Sequence, residues 1–244
     1  MTTLSIIIPL YNEQQTIIQV LDRIFKVQFQ HPIKIDIIIV DDCSSDNSVK
    51  LVQAYIAQNQ QHQIQILTSQ KNMGKGAAVR KGIVAATGKL LLIQDADLEY
   101  HPNDYPLLLT PFVEGVADVV FGSRFISNRP HRVLFFWHSM GNKFITLLSN
   151  IMTNLNLTDI ECGYKIFNTE ILKKINFKEK RFGIEPEIVA KIAAVPNIRI
   201  YEVGVSYYGR TYAEGKKIGL KDGFRALYCI LKYSILRRYP FNRG

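Results

Sequence analysis

Short apolar runs rich in β-branched residues alternate with stretches of helical periodicity through the first half of the chain, and that alternation leaves few folds open. Leu4-Ser5-Ile6-Ile7-Ile8-Pro9 reads as a strand that stops where proline removes a ladder donor. Ile17, Val20, Leu21, Ile24 and Phe25 recur at helical spacing between Glu13 and Phe25, with Asn12 placed to cap that helix. Ile35 to Val40 is apolar apart from Asp36, the pattern of a parallel strand buried on both faces. Ser45-Asp46-Asn47-Ser48 caps a helix over about 49–57, and 64–67 forms a third strand. A helix over 76–86, a strand over 89–93, a helix over 104–113 and a strand over 118–122 continue the series. Repeated β-α units of this length specify an α/β fold, with a mainly parallel central sheet and helices on both faces. Ligands in such sheets bind beyond the carboxyl ends of the strands.

Composition narrows the class. Of 244 residues, 47% are hydrophobic and 21% charged, which excludes a disordered chain. No apolar run approaches the roughly 18 to 20 residues that cross a bilayer, and Met1-Thr2-Thr3 lacks a basic leader. Cys43, Cys162 and Cys229 are odd in number and far apart, which fits neither a disulfide framework nor a zinc motif and points to a reducing compartment. The expectation is a cytoplasmic chain with one compact domain over 1–218 and a basic amphipathic extension over 219–244. Residues 201–244 hold nine Lys/Arg against three acids in a chain of net charge +9, so the C-terminal end calls for an anionic partner.

Two familiar phosphate-binding arrangements fail. Pro9-Leu10-Tyr11-Asn12-Glu13 has no glycine that would let a pyrophosphate approach the first helix, and Gly74-Lys75-Gly76 belongs to no P-loop pattern. Instead, two strands end in carboxylates, at Val40-Asp41-Asp42 through Asp46 and at Gln94-Asp95-Ala96-Asp97-Leu98-Glu99. The i, i+2 spacing of Asp95 and Asp97 aims both at a common centre. Such a cluster needs compensation by a cation or by hydroxyls. Oxygen ligands without His or Cys favour Mg²⁺ or Mn²⁺ over zinc.

These segments carry a resemblance. Ile8-Pro9-Leu10-Tyr11-Asn12-Glu13, Val40 to Ser48, Asn72-Met73-Gly74-Lys75-Gly76-Ala77-Ala78, Asp95 to Glu99 and Gly122-Ser123-Arg124 match, in order, the family 2 glycosyltransferases. Over about residues 4–217 the chain most resembles the dolichol-phosphate mannosyltransferase and polyprenyl-phosphate glycosyltransferase branch. The resemblance implies the GT-A fold and a nucleotide-sugar donor. It implies that Pro9, Tyr11, Glu13, Val40 and Asp42 hold the nucleoside, with Lys75, Asp95, Ala96 and Asp97 at the ribose and diphosphate. Asp95, Asp97 and Glu99 would hold the metal; relatives in this branch often carry Gln in place of Glu99.

The same resemblance extends to the acceptor. Ser123 and Arg124 close a strand beside the sugar site, where a guanidinium can grip an acceptor phosphate, with Arg132 (or Arg129) as a second contact. Residues 133–152 read as one or two amphipathic helices suited to a membrane interface. The segments 158–165 and 181–187 resemble acceptor-side segments, with Glu187 as a candidate for orienting the sugar or activating an acceptor. Arg210 and Lys216, in the Gly-rich segment 207–217, match cations that neutralise the departing diphosphate. Beyond them, 219–239 reads as a basic amphipathic helix for anionic headgroups. The implied partners are therefore a nucleotide sugar, a lipid phosphate and an anionic membrane surface on its cytoplasmic face, with a separate membrane-anchoring protein as an alternative means of attachment.

The implied reaction is in-line transfer of a hexose with inversion, from a GDP-mannose or UDP-glucose type donor to a polyprenyl phosphate. A phosphate monoester, with a second pKa near 6, is largely dianionic at pH 7 and needs positioning rather than a strong base. A hydroxyl acceptor would need one, for which Glu185, Glu187 or Asp159 are candidates. A basic nucleic-acid-binding module, the remaining alternative, would tolerate loss of Asp97.

Overall fold

A computed structural model describes residues 1–126, 132–133, 135–210 and 219–235. Its sheet has the strand order β3-β2-β1-β4-β6-β5-β7. The strands are β1 (Thr2–Leu10), β2 (Ile33–Asp41), β3 (Ile64–Thr68), β4 (Leu90–Ile93), β5 (Val119–Ser123), β6 (Lys165–Asn168) and β7 (Ile200–Gly204). All neighbours pair in parallel except β6, which runs antiparallel to both β4 and β5. The α-helices are α1 (Ile17–Phe25), α2 (Ser48–Gln58), α3 (Lys75–Ala85), α4 (Tyr105–Val113), α5 (Phe136–Thr153), α6 (Thr169–Lys173), α7 (Ile184–Ile192) and α8 (Leu220–Ile235).

Strand alternation divides the core into two layers. Leu4, Ile6 and Ile8 of β1 join Ile37 and Ile39 of β2 against Val20, Leu21 and Ile24 of α1. Ile7, between them in sequence, turns to the other face with Ile38, Val40, Leu91 and Ile93, and packs against α3 and α7. On that face α5 and α8 pack against each other and each against α7. Ile230 enters the core, while Arg225 Nη2 and Tyr233 Oη lie 2.7 Å from the two Glu179 oxygens.

Two local readings are corrected. Asn12 does not cap α1: it takes a left-handed conformation (φ 51°), and its Oδ1 accepts the Ser45 N–H at 2.8 Å. α1 starts at Ile17 after a turn closed on the Glu13 carbonyl, and Asn12 instead clamps the loop after β2 to the end of β1. Second, β6 and β7 extend the sheet beyond the strands read from the sequence. Lys216, Arg129 and the helical reading beyond Ile235 lie outside the described residues.

Candidate active site

The carboxyl ends of β1, β2 and β4 lie side by side, so parallel pairing alone brings the two carboxylate-bearing strand ends to either side of the Pro9–Glu13 segment. At the end of β2, Asp42 accepts the Met73 N–H at 2.8 Å and the Gly74 N–H at 2.6 Å. These amides sit at the start of α3, where a carboxylate is stabilised by unpaired N–H groups. Gly74 has φ 92°, and a Cβ there would meet the Lys180 carbonyl oxygen at 2.6 Å, so only glycine fits this turn. Tyr11 is partly exposed beyond β1, whereas the Val40 side chain is buried in the second core layer. Val40 therefore has only its backbone to offer a ligand.

At the end of β4 the carboxylates divide between two cations. Lys75, the first residue of α3, reaches Asp95 Oδ1 at 2.7 Å and Glu185 Oε1 at 3.0 Å. The other Glu185 oxygen pairs with the wholly buried Lys165 at 2.5 Å. Burial opposes the charge on Glu185, but Lys165 and Lys75 hold its carboxyl below the usual range. On the other side, Arg210 Nη2 pairs with Asp97 Oδ2 at 2.6 Å, and the guanidinium also reaches Glu99 at 3.4 Å and Glu13 at 3.5 Å. The Arg210 N–H donates to Glu99 Oε1 at 2.8 Å, and Tyr207 Oη donates to Glu99 Oε2 at 3.1 Å. Thr16 ties the first strand to this cluster, its hydroxyl lying 2.8 Å from the Ala96 carbonyl oxygen and 3.0 Å from Glu13 Oε2.

Burial, with the negative charges of Asp95 and Glu99, pushes the Asp97 carboxyl up to about 7 against the pull of Arg210. A carboxylate held in that condition gains from additional positive charge. Among the described residues no three His, Cys, Asp or Glu side chains stand together at metal-ligand spacing. Each carboxylate of the expected metal set instead has a cationic side chain against it. The donor atoms are all oxygens and their repulsion is incompletely balanced, which fits a hard divalent cation.

Arg132 Nη1 donates to the Gly209 carbonyl at 2.8 Å. Arg132 and Arg210 line one cavity of about 480 Å³ together with Thr16, Arg23, His101 and Tyr208. A larger cavity of about 870 Å³ lies along the outer side of α3, lined by Lys71, Arg80, Lys81 and Lys173. Neither cavity is lined by the strand-end carboxylates themselves, but the smaller one is lined by Arg210, which pairs with Asp97 and Glu99, and so lies next to them.

Arg124 is placed differently from its expected part. Its Nε and Nη2 donate to Asp159 at 2.6 and 2.8 Å, and the guanidinium stacks over Tyr207 at 5.1 Å from the ring centre. Burial opposes ionisation of Asp159, but Arg124 holds its carboxyl below the ordinary range. Ser123 Oγ is shared with Thr158 Oγ1 at 2.6 Å, so Ser123 and Arg124 anchor the 158–159 turn. Glu187 is likewise engaged within the protein. Its fully buried carboxylate accepts the N–H groups of Lys178 and Glu179 and pairs with Lys191 at 2.6 Å. Those partners hold it within the α7 packing.

Two contributors were missed as site residues. Gln94 is fully buried, and its Oε1 accepts the hydroxyls of Tyr105 at 2.6 Å and Tyr164 at 2.7 Å while its Nε2 donates to the Asp95 carbonyl. From sequence Lys165 is only the end of the 158–165 acceptor-side segment, and the antiparallel β6 reveals it as a buried counter-charge to Glu185. The polar Gln94 closing an apolar strand was the available signal for the first.

A family model described as glycosyl transferase family 2 matches residues 5–176. The chain belongs to glycosyl transferase family 2. It is 27% identical over 241 residues to a dodecaprenyl-phosphate galacturonate synthase of Rhizobium johnstonii, covering 99% of this chain and 69% of that protein. It is 30% identical over 254 residues to a dolichyl-phosphate β-glucosyltransferase of Dictyostelium discoideum, covering 99% of this chain and 75% of the relative. Among solved structures it superposes on glucosyl-3-phosphoglycerate synthase from Mycobacterium tuberculosis in complex with Mn²⁺, UDP-glucose and phosphoglyceric acid. That TM-score is 0.73 at 18% identity, over 99% of this chain and 82% of that one. The fold is GT-A, with the mostly parallel sheet and flanking helices described above.

Proposed function

We propose that this protein transfers a hexose from a nucleotide sugar to a polyprenyl phosphate, with inversion, at a membrane surface. The relatives' printed activities support the acceptor class, and one observation within the chain carries it: every carboxylate considered as a base for a hydroxyl acceptor is ion-paired. Asp159 is bound to Arg124, Glu185 to two lysines and Glu187 to Lys191. Asp159 and Glu185 are also held more acidic than usual, which makes them poor bases. A phosphate dianion needs none.

In this reading Pro9, Tyr11, Glu13, Asp42 and the Val40 backbone hold the nucleoside. Lys75 and Ala96 lie at the diphosphate with Asp95 and Asp97. Asp95, Asp97 and Glu99 would hold Mg²⁺ or Mn²⁺, which when bound neutralises charge gathering on the leaving diphosphate. Arg210 lies against the same carboxylates and stabilises the departing group, with Lys216 assigned to it from the sequence pattern. Arg132, in the cavity with Arg210, grips the acceptor phosphate. Arg124 and Ser123 orient the acceptor-side turn through Asp159 and Thr158. An acceptor phosphate oxygen bonds to the sugar C1 as the bond from C1 to the diphosphate oxygen breaks.

The membrane surface has its own support. Phe136, Trp137, Phe144, Leu147 and Ile151 of α5 and Phe224, Leu231 and Ile235 of α8 are all exposed, and the two helices pack together. No helix among the described residues is long and apolar enough to cross a membrane. Paired amphipathic helices with this much exposed aromatic surface suit the headgroup boundary.

The test offers purified protein, a labelled nucleotide sugar and Mg²⁺ or Mn²⁺ to a polyprenyl phosphate and to its unphosphorylated alcohol. Glycolipid formed from the phosphate is expected. Product from the alcohol alone would overturn the assignment.

A further inference from the structure

β6 runs antiparallel to β4 with Lys165 opposite Ile93, so the residues just before β6 continue alongside those just after β4. Gly163 then lies directly against Asp95: a Cβ at Gly163 would clash with Asp95 Oδ2. The Gly163 N–H is held by Tyr100 Oη at 2.9 Å, which fixes this approach. Two residues back, Glu161 is brought to the same strand-end cluster, where the charges of Glu185, Lys165, Arg124 and Asp159 all act on it.

Around Glu161 the ions are matched in a closed chain. Asp95 pairs with Lys75, Lys75 with Glu185 and Glu185 with Lys165, whose ammonium also donates to the Cys162 carbonyl. Beside it Arg124 pairs with Asp159. Glu161 is the exception. Its backbone N–H donates to Asp159 Oδ1 at 3.2 Å, but its Oε1 is buried with no hydrogen-bond partner. An orphaned buried acceptor is costly, and one kept in a native structure calls for an explanation, of which a ligand that supplies the missing donor is one.

We propose that Glu161 accepts a hydroxyl of the transferred sugar and thereby selects which hexose the enzyme uses. The assignment rests on the donor reading above, because it takes Lys75 and Asp95 to mark the donor's diphosphate end. The surroundings favour a neutral donor group. A phosphate or carboxylate at Glu161 would face Glu185, Asp159 and Glu161 itself, while both nearby lysines and Arg124 are already neutralised. A hydroxyl brings the proton that Oε1 lacks and adds no charge.

The experiment compares wild type with Glu161→Ala and Glu161→Gln. Affinities for UDP and GDP with Mn²⁺ are measured by calorimetry, followed by kcat and donor KM with UDP-glucose, GDP-mannose and their monodeoxy analogues. Nucleoside diphosphate binding should stay within about twofold of wild type in both variants. Glu161→Ala should lower kcat/KM for the favoured intact donor on the order of 10- to 100-fold, the scale of a hydrogen bond to a charged group. The wild-type penalty for deoxygenation at one sugar carbon should disappear in that variant. Glu161→Gln, which keeps the shape of the side chain, should retain more activity and reorder the analogues, and it carries the test if Glu161→Ala fails to fold.

An unchanged ranking of intact and deoxy donors in both variants would overturn the proposal. So would a collapse of kcat at unchanged donor KM with loss of a limb in the pH–rate profile, which would make Glu161 a base instead. If the wild type binds neither diphosphate, the donor site itself is wrong and this assignment falls with it. If both diphosphates bind normally and only the sugar discrimination is missing, the donor reading stands and Glu161 alone is refuted.

Discussion

Asp97 Oδ2 and Arg210 Nη2 lie 2.6 Å apart although Asp97 follows β4 and Arg210 lies more than a hundred residues later, beyond β7. The contact sets the guanidinium against the carboxylates proposed to gather a divalent cation. Asp97→Asn should lower turnover on the order of 10²- to 10³-fold, as for loss of one preorganised electrostatic group. It should also abolish the Mn²⁺-dependent part of the thermal shift given by a nucleoside diphosphate. Intact turnover in the variant with metal present would remove Asp97 from the metal set. Arg210→Gln should reduce turnover comparably while leaving the metal-dependent shift in place.

Asp159 is fully buried and its pair with the largely buried Arg124 is bidentate, so removing one member leaves the other charged without that partner. Asp159→Asn should cost about 3–5 kcal/mol in urea unfolding. A loss below about 1 kcal/mol would show that water or another acid replaces Asp159.

The pH dependence of stability has two opposite parts. Asp159 and Glu185 ionise more readily in the folded chain, so their contribution is present above their unfolded pKa values and is lost as pH falls through the folded ones. Glu161 behaves inversely. Burial and the charge of Glu185 push its carboxyl up from 4.5 to about 7. Its contribution is therefore present below pH 4.5 and fades as pH rises toward 7. Glu161→Gln should flatten the decline in Tm between pH 5 and 7 without altering the acid limb. A variant curve parallel to wild type across that interval would contradict the inverted behaviour.

Membrane attachment by the α5–α8 face predicts a graded effect. Trp137 and Phe144 are both exposed, and replacing either by serine removes an aromatic from the proposed interface. Each change should weaken cosedimentation with anionic vesicles on the order of tenfold, given about 1.5–3 kcal/mol for burying such a side chain. Affinity for a nucleoside diphosphate should not change. Undiminished sedimentation of the double variant would exclude this face.

Gly82, inside α3, sets the distance between that helix and β1. An added Cβ would stand 2.5 Å from Ile7 Cγ2 and 2.9 Å from Cγ1. Alanine would gain about 1 kcal/mol of helix propensity, but Ile7 is fully buried and branched at Cβ, so the steric cost wins. Gly82→Ala should lower stability by about 1–2 kcal/mol net, read as Tm, and Gly82→Val by more.

Much of this architecture was legible because the first five strands announce themselves by apolar runs, long and β-branched in β1 and β2 and shorter in β3, β4 and β5, each followed by periodic helix or turn chemistry. β6 was hidden because Lys165-Ile166-Phe167-Asn168 is short and opens on a charge, and nothing local says that this lysine is buried against Glu185. β7 was hidden likewise by its brevity and by Glu202 at its centre. At the site, the placing of the Asp42 and Asp95–Asp97 segments at the same edge of the sheet followed from parallel strand ends, since neighbouring strands align their termini. Pairings across long separations did not follow. That Arg124 is committed to Asp159, or Glu187 to the 178–179 backbone, depends on tertiary placement that residue type and spacing do not encode.

The two hydrogen bonds from Met73 and Gly74 to Asp42 tether the same turn that starts α3 and carries Lys75. Asp42 is thus mechanically upstream of Lys75: disturbing the one slackens the other, even though their charged atoms belong to separate groups of contacts. A change at the proposed nucleoside end would be felt at the proposed phosphate end through this short lever of backbone, so under that assignment base preference and diphosphate grip should evolve together rather than drift independently.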